Sequence, residues 1–272
     1  MDILNEINDA IRYIQSKCAT KPIAGIVLGS GLGSFVDEID IECEISYNDI
    51  PHFPVSTVKG HKSKMIFGNI GGKNIVAMAG RFHYYEGYST AEVVFPIRVL
   101  KFLGIQTLLL SNAAGGINPD LKVGDLMIIR DHISFLTINP LIGKNEDVFG
   151  ERFPYMSEPY KNDLILKAKK IATLENIAIK EGVYVGVTGP SFETRSEYKM
   201  LHILGGDAVG MSTVQEVIAA RHMHMNVFAM SVITDLWTRD HNIKITHDEV
   251  LHYAKAAEPK LAAIFKELIA VL

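Results

Sequence analysis

Hydrophobic positions in this chain follow two alternating rhythms. Residues 3–17 carry Ile3, Ile7, Ile11 and Ile14 three and four apart, a spacing that predicts an amphipathic opening helix. Short apolar runs of strand length follow at 23–28, 64–67, 74–79, 107–110, 125–129, 183–187, 207–209 and 227–232. Between several of them lie helix starts. Ser89-x-x-Glu92, Thr194-x-x-Glu197 and Thr213-x-x-Glu216 each read as a capping box, and Gly104 and Gly205 stand where the first two helices should stop. A final stripe over 248–271 holds Leu251, Ala254, Leu261, Ile264, Phe265 and Leu268, with Pro259 expected to kink it or divide it in two. Strand, loop and capped helix in alternation define an α/β fold, a central mixed β-sheet flanked by helices. The one long irregular stretch, 139–160, embeds Phe149, Phe153 and Tyr155 and is not composed like a linker. One domain over 1–272 is the expectation, with that loop functional.

Composition narrows the classes. Of 272 residues, 48% are hydrophobic and 21% charged, enough for a sizeable core and too apolar for global disorder. The net charge of −4 argues against nucleic acid as a partner. Cys18 and Cys43 are too few for a disulfide framework and lack metal-ligand spacing, so no metal is expected and both read as ordinary thiols. The start, MDILNEINDAIRYIQ, has no apolar signal core, and no apolar run approaches the roughly 18 residues of a membrane span. The expected setting is cytoplasmic, with no membrane.

Candidate chemistry gathers where strands should end. Gly80–Tyr88, GRFHYYEGY, directly follows an apolar run and packs in Arg81, His83, Tyr84, Tyr85, Glu86 and Tyr88. In open α/β sheets ligands sit beyond the carboxyl ends of strands. Arg81 suits an oxyanion, Tyr85 a sugar hydroxyl, and His83 lies three residues from a carboxylate that can orient its ring. Gly29-Ser30-Gly31-Leu32-Gly33 can turn N–H groups toward an anion, although a plain glycine turn would look the same. It is neither G-x-G-x-x-G nor a triphosphate loop. Ser111-Asn112-Ala113-Ala114-Gly115-Gly116 lets a flat ligand approach the backbone, or two elements pack tightly. In Gly189-Pro190-Ser191-Phe192-Glu193 a ring and a carboxylate suit a purine, whereas Glu193 alone could serve a helix dipole. Met211-Ser212-Thr213 enters a capped helix, where free N–H groups attract anions. Asp235 follows Ser231 at another strand exit, and His61 sits between lysines. Most of these are expected to converge on one crevice.

GSGLG, GRFHYYEGY, NAAGG, GPSFE and VGMSTVQE, in this order and at these separations, resemble the trimeric class of purine nucleoside phosphorylases over about 23–247. The resemblance implies a homotrimer and reversible phosphorolysis: phosphate attacks the anomeric carbon, the purine leaves, and ribose 1-phosphate forms with inversion. Phosphate is a co-substrate, and neither cofactor nor metal is required. By matching position, Ser30, His61, Arg81, His83, Ala113 and Ser212 resemble the phosphate site. Tyr85, Met211, His83 and His247 resemble the ribose contacts, with Glu86 supporting His83. Phe153 resembles the phenylalanine that reaches a neighbouring subunit's ribose pocket. Phe192, Glu193 and Asp235 resemble the base contacts, and His83, Glu193 and Asp235 are the expected catalytic groups.

Asp235 departs from the pattern. Members that take 6-oxopurines usually carry asparagine there, which donates to O6 and N7. An ionised aspartate only accepts, favouring a 6-amino group, whereas a protonated one can donate to N7. Inosine and guanosine remain the first expectation and adenosine enters through Asp235. Methylthioadenosine phosphorylase, and a purine-binding protein without turnover, are the alternatives. His247 argues against the first, and the intact phosphate set against the second.

Overall fold

The structure, a computed structural model, describes residues 2–55, 62–136, 138–237 and 246–272. The described strands are β1 (Ala24–Leu28), β2 (Asp40–Ser46), β3 (Lys64–Ile70), β4 (Lys73–Ala79), β5 (Thr107–Gly116), β6 (Leu126–Ser134), β7 (Ile179–Gly186), β8 (Ala208–Gly210) and β9 (Asn226–Leu236). The helices are α1 (Ile3–Lys17), α2 (Thr90–Phe102), α3 (Asn162–Leu174), α4 (Arg195–Ile203), α5 (Val214–His222) and α6 (His247–Ala270).

The strands form one mixed sheet in the order β2-β3-β4-β1-β5-β8-β7-β6-β9. β1 lies parallel to both β4 and β5, while β2, β3 and β4 form an antiparallel meander. β5 also pairs in parallel with β9, so β5, β8, β7, β6 and β9 close a circuit of ladders. β1, Ala-Gly-Ile-Val-Leu, is buried at every position, as a central parallel strand flanked on both faces must be. α1 caps on Asp2 and buries Ile7, Ala10 and Ile14, and α5 is buried over almost its whole length. Cys18 is buried and Cys43 half-buried, both as free thiols.

Three expectations change. The runs at 107–110 and 227–232 extend much further, because β5 and β9 stay paired from Thr107↔Asn226 to Gly116↔Leu236. The small-residue motif and Asp235 therefore lie within strands rather than after them. Secondly, Pro259 does not divide the last helix: α6 runs unbroken for 24 residues. Its buried stripe continues on both sides of the proline, from Val250 and Ala254 to Leu261, Phe265 and Leu268, and holds it against β9. Thirdly, β2 and α3 were not anticipated. β2 buries Ile45 alone, and the apolar positions of α3 are interleaved with lysines. The 139–160 stretch holds no helix or strand. Among the described residues, no helix is long and apolar enough to cross a membrane.

Candidate active site

One crevice collects the sequence candidates from the ends of β1, β4, β5, β8 and β9 and the starts of α4 and α6. Ser30, Arg81, His83, Ala113 and Ser212 line one end. Tyr85, Met211 and His247 line the crevice as well, and so do Phe192, Glu193 and Asp235. His61 lies outside the described residues.

The cationic end is built around Arg81, which is 2% exposed. Its Nε donates to Glu216 Oε1 at 3.1 Å, and its Nη1 donates to the Ser111 carbonyl at 2.6 Å and to Ser212 Oγ at 3.5 Å. Ser111 in turn donates through Oγ to the Val27 carbonyl and accepts from the Gly29 N–H, so the guanidinium is fixed to the joined ends of β1 and β5. Glu216 uses its second oxygen to accept from the Thr213 N–H, closing the capping box of α5. Thr213 adopts φ +72°, unusual for a branched residue and a cost of about 1–3 kcal/mol. It is held there by the Asn112 Nδ2 donor at 2.8 Å and by contact with Ser212 Oγ at 3.0 Å. The strain aims Ser212 and the start of α5 at the crevice beside the arginine. A buried guanidinium with hydroxyls and a helix N-terminus around it is suited to an oxyanion.

Next to it, the His83 Nδ1 lies 3.0 Å from Glu86 Oε1, and the same carboxylate accepts from the His83 N–H. Both side chains are buried. Glu86 thereby fixes which ring nitrogen faces the crevice. The Tyr85 ring stacks on His83 at 4.7 Å between centroids, and burial pushes its phenol up to about 12. Both rings line the crevice.

The far end is acidic. Phe192 is half in solvent, offering a face to a flat ring. Glu193 Oε1 is buried with no hydrogen-bond partner, and burial followed by the Asp235 charge raises its carboxyl above the usual carboxylate range. Asp235 is 4% exposed and accepts from Tyr198 Oη at 3.1 Å and from Thr234 Oγ1 at 3.3 Å. Gly115 makes room for this group: a Cβ there would lie 2.7 Å from Tyr198 Oη and 3.1 Å from Asp235 Oδ2.

Phe153 is 86% exposed and does not line the crevice of its own chain. Sequence reasoning missed three members. Glu216 was legible only as a cap, and Asn112 only as part of a small-residue run. Tyr198 carried no signal beyond being an aromatic residue inside a helix.

Residues 23–270 match the phosphorylase superfamily. Purine nucleoside phosphorylase 1 of Bacillus subtilis is 47% identical over 266 residues, 98% of each chain. Isoform 2 of the Schistosoma mansoni purine nucleoside phosphorylase, solved with cytosine and ribose-1-phosphate, superposes with a TM-score of 0.93 at 43% identity, covering 98% of this chain and 96% of that one. A Schistosoma mansoni purine nucleoside phosphorylase solved with adenosine gives 0.94 at 40% identity, covering 99% and 98%. The chain belongs to the phosphorylase superfamily. Within it, the chain falls among the purine nucleoside phosphorylases, pentosyltransferases that cleave the N-glycosidic bond of purine nucleosides with phosphate and release the free base.

Proposed function

We propose that the crevice runs from phosphate to purine and that inosine and guanosine are its first substrates, with adenosine accepted through Asp235. The carrying observation is the polarity of the crevice: a buried Arg81–Ser212 corner at one end and the Glu193–Asp235 pair at the other, with His83 and Tyr85 between. Ser30, Arg81, Ala113 and Ser212 hold phosphate, joined by His83 and His61. Tyr85, Met211 and His247 hold the ribose, His247 beside its 5′-hydroxyl. Phe192 stacks on the base, and Glu193 and Asp235 bond its edge.

Phosphate is the nucleophile, so the proposed reaction needs a co-substrate and calls on no cofactor. As the glycosidic bond breaks, positive charge grows on the ribose and negative charge on the purine. The phosphate, fixed by Arg81 below the anomeric carbon, stabilises the first. Hydrogen bonds at the acidic end stabilise the second.

We further infer a homotrimer in which Phe153 completes a neighbour's ribose pocket. Its 86% exposure and that of Tyr155, 72%, on the long irregular loop support this. A single catalytic domain over 1–272 and a cytoplasmic setting complete the reading, the latter in keeping with two free thiols.

The test is base release from inosine, guanosine, adenosine and methylthioadenosine, with and without phosphate. Phosphate-dependent release from inosine and guanosine is expected, with measurable release from adenosine. Release without phosphate, or from methylthioadenosine alone, refutes the reading. Sedimentation of an active monomer refutes the role of Phe153.

A further inference from the structure

Among the described residues, the base-facing wall contains two carboxyl groups with one buried phenol beside both. Tyr198 is 3% exposed and donates its only hydroxyl proton to Asp235 Oδ2 at 3.1 Å. The same phenol lies within interaction range of Glu193. Its ring is clamped among Ile117, Val185, Leu201 and Val209, and α4 is pinned at its start by the Thr194–Glu197 capping box. The hydroxyl therefore has a fixed position, and Gly115 leaves the space it occupies.

Among the described residues, the ionisable groups around Asp235 are few. α4 supplies Tyr198 and, on its exposed side, Glu197, whose carboxylate caps Thr194. The loop before α4 supplies Glu193. β5 supplies none, since Ala113, Ala114, Gly115 and Gly116 face this part of β9. Burial and the two neighbouring carboxylates push the Tyr198 phenol far above its ordinary range, so it remains a donor. Two carboxyl groups close together in a desolvated wall resist ionising together and share one proton.

That shared proton has two homes, and each matches a different purine edge. With the proton on Glu193, Asp235 accepts from a 6-amino N–H and Glu193 donates to N1, the pattern of adenine. With it on Asp235, Glu193 accepts from N1–H and Asp235 donates to O6 or N7, the pattern of hypoxanthine and guanine. No proton is gained or lost in passing from one to the other. A donor aimed at a carboxylate favours its ionised form.

We propose that Tyr198 is a positioning residue for base choice: by donating to Asp235 it draws the shared proton toward Glu193 far enough for the site to admit 6-aminopurines beside the 6-oxopurines. This rests on the purine nucleoside reading above and deepens it by naming what selects between the two base classes. 6-Oxopurines bind with the proton on Asp235, so a single site can take both classes.

The experiment compares kcat/KM for adenosine and inosine, with phosphate, in the wild type, Tyr198→Phe, Asp235→Asn and the double variant, across pH. Tyr198→Phe keeps the packed ring and removes one oxygen. The adenosine-to-inosine ratio is expected to fall about tenfold or more, the loss of one hydrogen bond to a charged group. The pH dependence of that ratio is expected to shift with it. In the Asp235→Asn background the same change is expected to leave the ratio unaltered, because no shared proton remains. A Tyr198→Phe enzyme that melts with the wild type and keeps both ratio and pH profile overturns the proposal, as does an equal effect in both backgrounds. A wild type that releases no base from either nucleoside overturns the purine nucleoside reading itself, and the proposal with it.

Discussion

Glu216→Gln isolates what holds Arg81, the arginine proposed for phosphate. Arg81 and Glu216 are 2% and 3% exposed, so their 3.1 Å contact is desolvated. Glutamine keeps the size of the side chain and loses its charge. Its single carbonyl oxygen can face Arg81 Nε or the Thr213 N–H, where glutamate serves both. With the oxygen toward Arg81, the amide NH2 opposes the Thr213 N–H, and a cap of about 1 kcal/mol is lost. The arginine bond falls from charge-assisted to neutral, a further loss of about 1–2 kcal/mol. The sum is a destabilisation of about 2–3 kcal/mol, below the roughly 3–5 kcal/mol for breaking a buried pair outright. Denaturant unfolding at constant m-value measures it. Phosphate supplies the missing negative charge, so the gain in unfolding free energy on adding saturating phosphate is expected to be larger in the variant than in the wild type. A variant within about 0.5 kcal/mol of the wild type, the ordinary range for a surface change, with an unchanged phosphate increment, refutes the account of the arginine corner.

Further outcomes follow from the same geometry. Asp235→Asn replaces an acceptor with an amide that can donate to O6 and N7, so the inosine-to-adenosine ratio of kcat/KM is expected to rise about tenfold; an unchanged ratio means Asp235 does not read position 6. Gly115→Ala drives a Cβ to 2.7 Å from Tyr198 Oη, and is expected to cost about 1–3 kcal/mol and raise KM for the nucleoside while leaving that for phosphate. Because burial raises the Glu193 carboxyl, adenosine turnover is expected to fall on the alkaline side as the acidic pair loses its proton. Glu193→Gln, a donor at every pH, is expected to remove that limb, and its persistence assigns the limb elsewhere. Glu258 is 3% exposed and accepts from the Phe35 N–H at 2.9 Å and from Ser34 Oγ. Glu258→Ala is expected to destabilise by about 2–3 kcal/mol and to raise the phosphate KM, read by denaturation and initial rates.

What the sequence made legible was local chemistry at strand ends. Arg81, His83 and Glu86 announced themselves because a charged and aromatic cluster straight after an apolar run has no place in a core. The capping boxes at Ser89, Thr194 and Thr213 located three helix starts, since a cap is a contact across three residues. What stayed hidden was non-local. The Oε1 of Glu216 meets an arginine 135 positions away, and Tyr198 meets Asp235 across 37. Nothing near Tyr198 distinguishes a core ring from one whose hydroxyl faces a ligand. The small residues of β5 concealed its length, because glycine and alanine read as a strand end until a partner strand is known to continue beside them.

α6 joins two parts of the crevice that the sequence keeps far apart. His247 and Val250, at its first turn, line the crevice on the side proposed for ribose. One to three turns on, the helix meets the glycine loop that carries Ser30. Gly31, at φ +75°, lies so close that a Cβ would stand 2.7 Å from that of Ala254, and Glu258 grips Ser34 and Phe35. Over its length of about 36 Å, the helix is therefore a common shaft for both ends of the proposed site. On the reading proposed above, a nucleoside that drew His247 inward would move the support of the Ser30 loop, and phosphate that tightened the loop would seat the helix start. On the proposed reading the two are expected to bind synergistically, and reciprocity then requires the factor by which nucleoside improves phosphate affinity to equal the factor by which phosphate improves that of the nucleoside.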